Sequence, residues 1–579
     1  MSILKALLFT KSKNSRRGFS LIEAVLAVSL FSLVLLALIS AIVYGRESIA
    51  LSGIRSRALL IAEEGQEAIR NLRDEKFSNL VDGTYGLATS SNQWVLSGTS
   101  DVTDIFTRQI QIGTINSHTK IATTTVTWQP KEGRSGQITL TSYLTEWRRA
   151  VGGGMLVYAD LSGLDDVLRY KILDPDGNWG PELTIPTLGV PGNRATRRVE
   201  LYTSPSRNEK ILITKHFDSV LSTSQYIFAQ VWNGSAWGNS ILLSGYANAA
   251  RPDTRNFDGD YLANGNFLAV YDDNTNIPKY RIWDGSNWSA QNPAVNVGGN
   301  PDWIVVRNRP GTNEAMVAVL DASSDTNTFY WNGSSWGGLL EHGTAMAGPQ
   351  YEDVDFAWRN DGSSGALTFN EAADNFPNIR IWNGTVWSAN VENISIAAVP
   401  RATQIRARPA AAEFLACFKD SVNDINCLKS DTTPAWTALA NGEIGVKTDA
   451  GVQRSFSLVY ESQSGNPALV VYSNGANAAA QAIPKYRTFN PTTNAMSAEN
   501  SLTDLGGAAA SLETVKLIPD PASDDIIVLL ADTSQDIWTR VWNGAANTFY
   551  STGGRGQIEH GLFGSFDEDF WFDFSWNKF

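Results

Sequence analysis

The sequence predicts two architectures in series: an α+β part built on one long helix and a small antiparallel sheet, then an all-β part made of repeats. Three observations predict this. Ala24 to Val43 is a run of twenty residues with no charge and no proline. Between residues 105 and 144 three segments alternate apolar and polar side chains. From about residue 176 onward a turn motif bounded by aromatic residues returns roughly every 50 residues.

The apolar run comes first. At about 1.5 Å per residue it forms a helix of roughly 30 Å, enough to cross a bilayer core. Lys5, Lys11, Lys13, Arg16 and Arg17 lie before residue 23 and no acid does. That charge bias keeps the N-terminal end cytoplasmic and sends the rest across the membrane. One acid, Glu23, stands just inside the apolar segment. A carboxylate in such a place costs about 2–3 kcal/mol, which marks it as functional.

Gly18-Phe19-Ser20-Leu21-Ile22-Glu23 resembles the signal of type IV prepilins and type II secretion pseudopilins. The resemblance implies that a prepilin peptidase cuts between Gly18 and Phe19 and methylates the amine of Phe19. It implies that Glu23 meets the terminal amine of a neighbouring subunit during filament assembly. Two buried opposite charges can satisfy each other where neither could stay alone. An ordinary signal peptide places its cleavage site after the apolar core, whereas this match lies before it. The implied partners are prepilin peptidase, other pilin or pseudopilin subunits and the inner membrane.

Past Val43 the apolar pattern becomes periodic. Ile54, Ala58, Ile61, Ala62, Gly65, Ile69 and Leu72 share one helical face, with arginines and glutamates elsewhere. The helix is expected to run to about Leu80. Ile105–Ile112, Ile121–Trp128 and Ile138–Leu144 then alternate as strands, which resembles a pilin head ending near Arg149. Gly152-Gly153-Gly154 reads as a linker. The expected boundaries are a leader over 1–18, the helix over 19–80, the β head over 81–150, the linker over 151–154 and a repeat domain over 155–579.

The repeat is clearest at Trp232–Trp237, Trp283–Trp288, Trp331–Trp336 and Trp382–Trp387, each Trp-Asn/Asp-Gly-x-x-Trp. Weaker copies stand at Asp176–Trp179, Trp436, Phe489–Met496 and Trp542–Phe549. Periods near 50 with four strand-like pieces read as the blades of a β-propeller. Asn-Gly and Asp-Gly between alternating runs read as type I′ hairpins joining the third and fourth strands, C and D. In the fifth copy A is 353–358, B 366–369, C 378–382 and D 386–391. The turn resembles the Asp-box hairpin of sialidase-like propellers, and the usual Ser-x-Asp-x-Gly order is absent from the strong copies. The first copy begins on a strand B at Gly154–Asp160, and Phe572–Trp576 matches the strand A at Val354–Trp358. The expectation is therefore an eight-bladed propeller whose first blade is completed by 572–576, with seven blades as the alternative. Such a closure removes exposed sheet edges.

Composition narrows the function. Net charge is −13, against the basic stripe that a nucleic-acid surface needs, so no nucleic-acid partner is expected. The two cysteines, Cys417 and Cys427, flank a turn and read either as a cross-strand disulfide or as two reduced core thiols. His118, His216, His342 and His560 are scattered, and His342 and His560 are repeat-equivalent. No catalytic motif appears, and no catalytic residue, metal or cofactor is expected. Asp272–Asn276 lacks the ligand spacing of a calcium loop and reads as a polar turn.

An acid closes strand B in nearly every copy: Asp160, Asp218, Asp272, Asp321, Glu371, Asp420 and Asp532. The set reads either as turn braces or as a ligand ring. The first reading resembles the structural aspartate of WD-repeat propellers. A propeller is too bulky for every subunit of a packed filament. The expected function is a minor pilin-like subunit that displays it for adhesion or for binding a surface ligand, glycan or protein. The alternatives are a secretion pseudopilin contacting cargo and a displayed glycoside hydrolase. The ligand is expected on the face of the B–C and D–A loops, opposite the linker.

Overall fold

The computed structural model describes residues 20–75, 77–90, 93–116, 119–129, 135–145, 153–159, 167–175, 177–190, 195–217, 224–247, 254–348, 350–409, 411–431, 433–446, 455–474, 483–502, 512–532, 536–550, 556–559 and 570–578. The chain divides into two compact units, Met1–Arg148 and Arg149–Phe579.

The first unit is organised by one helix, α1, Leu21–Glu75. Ser20 and Glu23 start it as a reciprocal cap. The Ile22 amide donates to Ser20 Oγ at 3.3 Å and the Ser20 amide donates to Glu23 Oε2 at 3.1 Å. The apolar half of α1 is exposed from Leu21 to Val43, and the helix is long and apolar enough to cross a membrane. Its second half buries Ala58, Ala62, Gly65, Gln66, Ala68, Ile69 and Leu72. The helix stops at Glu75, short of the expected Leu80. A 3₁₀ turn, Phe77–Asn79, follows, and the Leu80 amide donates to Phe77 O. This bend drives Leu80 into the core at 1% exposure.

The sheet of this unit holds six strands among the described residues: β1 Gly83–Ser90, β2 Gln93–Ser97, β3 Asp101–Thr103, β4 Phe106–Asn116, β5 Thr119–Trp128 and β6 Gly136–Thr145. The order is β2-β1-β4-β5-β6, with β3 on β4. The strands β4 to β6 are the expected ones, and β1 to β3 were not legible. Two polar side chains lock α1 to the sheet. Gln66 Nε2 donates to Thr124 Oγ1 and to Leu140 O, at 3.1 and 3.0 Å. Arg108, 4% exposed, reaches Glu64 at 3.0 Å and Asp101 at 2.9 Å. Gly65 permits this closeness, because a Cβ there would stand 2.8 Å from Thr124 Cγ2.

The second unit is a succession of antiparallel meanders. Four-stranded sheets are built from Ala195–Tyr246, Phe257–Pro293 and Pro301–Gly343. A three-stranded sheet follows from Val354–Trp382, then two meanders joined by a parallel bridge between Ala440 and Ala495, then the sheet that begins at Leu512. Strand Phe572–Trp576 pairs antiparallel with Gly154–Ala159, Phe572 opposite Tyr158, and heads the sheet of residues 154–184. The first strand of each meander adjoins the first strand of the next, and Phe572–Trp576 adjoins both Leu512–Pro519 and Ala195–Thr203. Sheets set side by side around their innermost strands form a β-propeller.

Three local expectations are corrected. The tryptophan turns are not two-residue type I′ hairpins. Trp232 pairs with Trp237 across four residues, and only Gly234 has positive φ, at 93°. The Asn233 side chain closes the loop by accepting the amides of Ser235 and Ala236 at 3.0 and 2.9 Å. Residues 386–391 form no strand, only isolated bridges from Trp387 to Trp382 and from Val391 to Ile379. Ser388 Oγ takes the Ile381 amide at 2.9 Å in place of a backbone carbonyl, which breaks the ladder. Gly154 is not linker but the first residue of a strand, and its missing Cβ admits Phe574.

The repeated tryptophans are core. The pairs 232/237, 283/288, 331/336 and 382/387 hold ring centroids 5.6, 5.5, 5.0 and 5.5 Å apart. A tyrosine of the neighbouring sheet packs on such a pair, as Tyr280 does on Trp331 and Trp336. Burial of these rings is what welds sheet to sheet. Cys417 and Cys427 stand directly opposite on adjacent strands, both buried, and are joined as a disulfide.

Candidate binding site in the propeller channel

Gly18 and Phe19 lie outside the described residues, as do Asp160, Asp218, His118 and His560. Glu23 is exposed and engaged with its own helix start.

Four of the described strand-B acids, Asp272, Asp321, Asp420 and Asp532, accept amides of their own turns. Asp321 accepts the amides of Ser323 and Gly299 at 2.9 and 3.0 Å. Asp420 accepts those of Val422 and Asp424, both at 3.0 Å. Asp532 accepts the Asp536 amide and the Trp538 indole, at 3.1 and 3.2 Å. Asp272 takes the Asn274 amide at 2.8 Å, the Asn256 amide group at 3.0 Å and the Tyr246 hydroxyl. Burial pushes its carboxyl up to about 6. Within the same loop Asp273 is held by Thr275 Oγ1 at 2.6 Å and Lys279 at 3.2 Å. Glu371 is half-buried, and burial followed by Glu392 and Asp374 raises its carboxyl above the usual range. His216 lies between Thr196 and Thr214 hydroxyls, His342 between Thr328 and Arg380. Burial lowers both imidazoles to about 3, with Arg380 adding to the effect at His342, so both are neutral at physiological pH.

The charged cluster lies elsewhere, on the innermost strands, which line the central channel. Each such strand is a sheet edge with unpaired amides, and in five of them a side chain of the preceding sheet covers one, as Gln404 Oε1 does for the Leu458 amide at 2.6 Å. Asp258 Oδ2 accepts the Val306 amide at 2.9 Å and Asp355 Oδ2 accepts that of Ile405 at 3.0 Å. Asp573 Oδ2 accepts that of Leu201 at 2.7 Å and Ser457 Oγ accepts that of Leu517 at 3.2 Å. Ion pairs run between these points. Arg307 meets Asp258 at 2.8 Å and Asp355 at 3.4 Å, and Arg406 meets Asp355 at 2.8 Å. Arg255 meets Asp258 at 2.9 Å, and Lys516 meets Asp573 at 3.2 Å and Glu200 at 3.6 Å.

Environment splits the acids. Burial acts to raise Asp258, but Arg255 and Arg307 overcome it and hold the carboxyl below the usual range. Asp573 has one lysine against burial and the nearby Glu200, and is pushed up to about 7.

Two larger cavities open where the innermost strands run out into their A–B turns. One, of about 450 Å³, is edged by Thr203, Tyr261, Pro519 and Trp576, the last residues of their strands. The other, of about 570 Å³, lies beside it over Arg406, Val459, Tyr460 and Ile518. This is the end opposite to the B–C and D–A loops. None of these residues was singled out in the sequence. The available signal was a charged or polar residue inside an apolar strand A, as in Phe257-Asp258-Gly259 and Val354-Asp355-Phe356.

At the N-terminus the chain matches the family described as the prokaryotic N-terminal methylation motif, over residues 13–39. No curated protein matches the chain. Solved structures do. AofleA from Arthrobotrys oligospora is 10% identical, over 53% of this chain and 86% of its own, with a TM-score of 0.32. The periplasmic gluconolactonase PpgL of Pseudomonas aeruginosa is 10% identical, over 61% and 96%, with a TM-score of 0.36. Aleuria aurantia lectin is 12% identical, over 51% and 95%, with a TM-score of 0.29. Helix, motif and repeated sheets together define a membrane-anchored, pilin-like chain that carries a β-propeller. The motif implies processing by a prepilin peptidase and assembly with pilins.

Proposed function

We propose that this chain is a minor pilin-like subunit that displays a closed eight-bladed propeller as a binding module. The carrying observation is the union, in one chain, of the methylation motif and exposed apolar helix with a separate compact unit holding a channel. Pairing of Phe572–Trp576 with Gly154–Ala159 supports the closed ring. Four strands at about 4.8 Å give blades of roughly 15–20 Å, which suits a rare or terminal subunit better than a repeating one. Binding is favoured over catalysis because the charged residues of the channel are paired with one another. Cleavage after Gly18, methylation of Phe19 and a role for Glu23 in assembly belong to the same reading.

Mass spectrometry of membrane-extracted protein tests the first half. A mature chain beginning at methylated Phe19 is expected, and a chain beginning at Met1 in processing-competent cells overturns it. Glu23→Ala should leave cleavage intact and remove the protein from sheared filaments.

A further inference from the structure

The tryptophan-bounded loops hold a group that closing a turn does not use. Asn-x-Ser/Thr, with no proline between, is the acceptor sequence for an N-linked glycan. It occurs five times in the chain, at Asn233, Asn287, Asn332, Asn383 and Asn393. The structure divides these five. Asn233, Asn332 and Asn383 are exposed, each at the start of a four-residue loop between paired tryptophans. The hydroxyl two residues on donates to the asparagine Oδ1: Ser235 at 2.9 Å, Ser334 at 3.0 Å and Thr385 at 2.9 Å. Among the described residues Nδ2 of Asn233 and of Asn383 has no protein partner, and that of Asn332 has only the exposed Ser335 Oγ, at 3.0 Å. The other two differ. Ser289 Oγ takes the Ile282 amide and donates to Ala290 O, both at 2.9 Å, so its hydroxyl is engaged elsewhere than at Asn287. Asn393 is held at both ends by Trp436, whose amide donates at 2.7 Å and whose carbonyl accepts at 2.8 Å.

Turn closure alone does not call for asparagine. In the equivalent loop Asp284 accepts the amides of Ser286 and Asn287 at 2.8 and 2.7 Å, so a carboxylate closes it as well. What asparagine adds is an amide nitrogen on an exposed hairpin tip. A hydroxyl donating to Oδ1 stabilises the charge which that oxygen takes up as Nδ2 loses a proton. The three loops also stand at one end of the propeller, each against an A–B turn. A Cβ on Gly234 would stand 2.8 Å from Asn208, one on Gly333 3.5 Å from Asn313 and one on Gly384 3.4 Å from Ser363. The two larger cavities open at that same end.

We propose that Asn233, Asn332 and Asn383 are N-glycosylation acceptors, and that their glycans fringe the cavity end of the propeller. The donor is an oligosaccharide carried on a polyprenyl pyrophosphate, and the catalyst is a membrane oligosaccharyltransferase. Nδ2 attacks the anomeric carbon, and the C–N bond forms as the sugar–phosphate C–O bond breaks. The lipid pyrophosphate leaves with that electron pair, and the amide proton passes to a base of the transferase. No oxidant or reductant is needed. The inference goes beyond the binding role and rests only on the propeller lying across the membrane from the cytoplasm. The buried disulfide Cys417–Cys427 fits that side, where thiols are oxidised.

The test is peptide mass spectrometry, with electron-transfer fragmentation, of the full chain purified from membranes of the cells that make it. One glycan mass is expected on Asn233, Asn332 and Asn383, and none on Asn287 or Asn393. Asn233→Asp, Asn332→Asp and Asn383→Asp together copy the loop of Asp284, and should remove all the added mass and leave Tm unchanged. Ser235→Ala, Ser334→Ala and Thr385→Ala keep each asparagine and the two backbone amides it accepts, and should also remove the mass. This second variant keeps the test open if the first does not fold. Unmodified peptides at the three loops, equal occupancy at Asn287 or Asn393, or undiminished mass in the alanine variant overturns the proposal. The Cys417–Cys427 disulfide, read in the same digest, reports the compartment. Unmodified loops with the disulfide intact overturn the glycan alone, and with reduced cysteines the membrane topology falls as well.

Discussion

Two arcs of the channel wall perform one backbone task with different chemistry. From Asp258 to Arg406 carboxylates and guanidiniums alternate, and each acid covers an edge amide while holding one or two arginines. At Ser457 a hydroxyl covers the amide alone. Covering a sheet edge needs only an acceptor, so charge at these positions is a separate choice. Burying paired charge adds little net stability, yet removing one partner leaves the other stranded. The first arc is therefore the brittle one, and the arc of Gln404 and Ser457 covers its edge amides without charge.

The largest way to break this contrast is at the seam, where the arcs meet. Deleting Phe570 to Lys578 removes the Asp573 acceptor and the buried Phe572, Phe574 and Trp576 together. Each large ring alone is worth about 3–5 kcal/mol, so the full-length protein without this strand should aggregate in light scattering. A monodisperse variant with an unchanged melt would refute the closure.

Next comes Asp355→Ala in the alternating arc. It removes the ion pair of Arg406, takes the weaker of two acids from Arg307, which keeps Asp258, and uncovers the Ile405 amide, at a cost of about 3–5 kcal/mol in urea unfolding. The matching change in the other arc, Ser457→Ala, removes one neutral hydrogen bond and should cost about 1 kcal/mol. Equal losses would erase the distinction between the arcs.

A smaller effect separates Asp573 from Asp258 by pH. Native Asp573 is pushed up to about 7 and its unfolded value is 3.8. Between these the folded chain holds a proton that the unfolded chain has released. Its stabilising contribution is thus full below about 4 and lost as pH rises through about 7. Asp573→Asn should flatten the fall in Tm across that window. Asp258 is lowered, so Asp258→Asn should leave the same window unchanged and remove stability that wild type loses only at more acid pH. A Tm profile in which both variants behave alike would contradict the assignment of their surroundings.

Much of the fold was legible because it follows from local periodicity. The stripe Ile54, Ala58, Ile61, Ala62, Gly65, Ile69 and Leu72 read as a packed helix face, and it is buried except at Ile54 and Ile61, which are half-buried. The paired tryptophans marked the C–D loops, and the likeness of 572–576 to 354–358 pointed to its partner on Gly154–Ala159. The turns themselves were misread, because an asparagine side chain that accepts two amides leaves no trace in a Trp-Asn-Gly string. The strand-B acids were visible as a series, and one of the two readings of that series was a set of turn braces. Regular recurrence is what a turn brace produces, and Asp321 and Asp420 are such braces.

By itself the sequence determined the anchor, the helix and the repeat, since each is written within a span of about 50 residues or fewer. The channel was decided only by tertiary structure. Asp258, Asp355, Ser457 and Asp573 are far apart in the chain, and they become one series only when edge amides of successive sheets face them. Whether an acid is held ionised or pushed up to about 7 depends on how many cations the neighbouring strands bring. That number is fixed by which strands stand side by side, a relation between distant segments that no local pattern encodes.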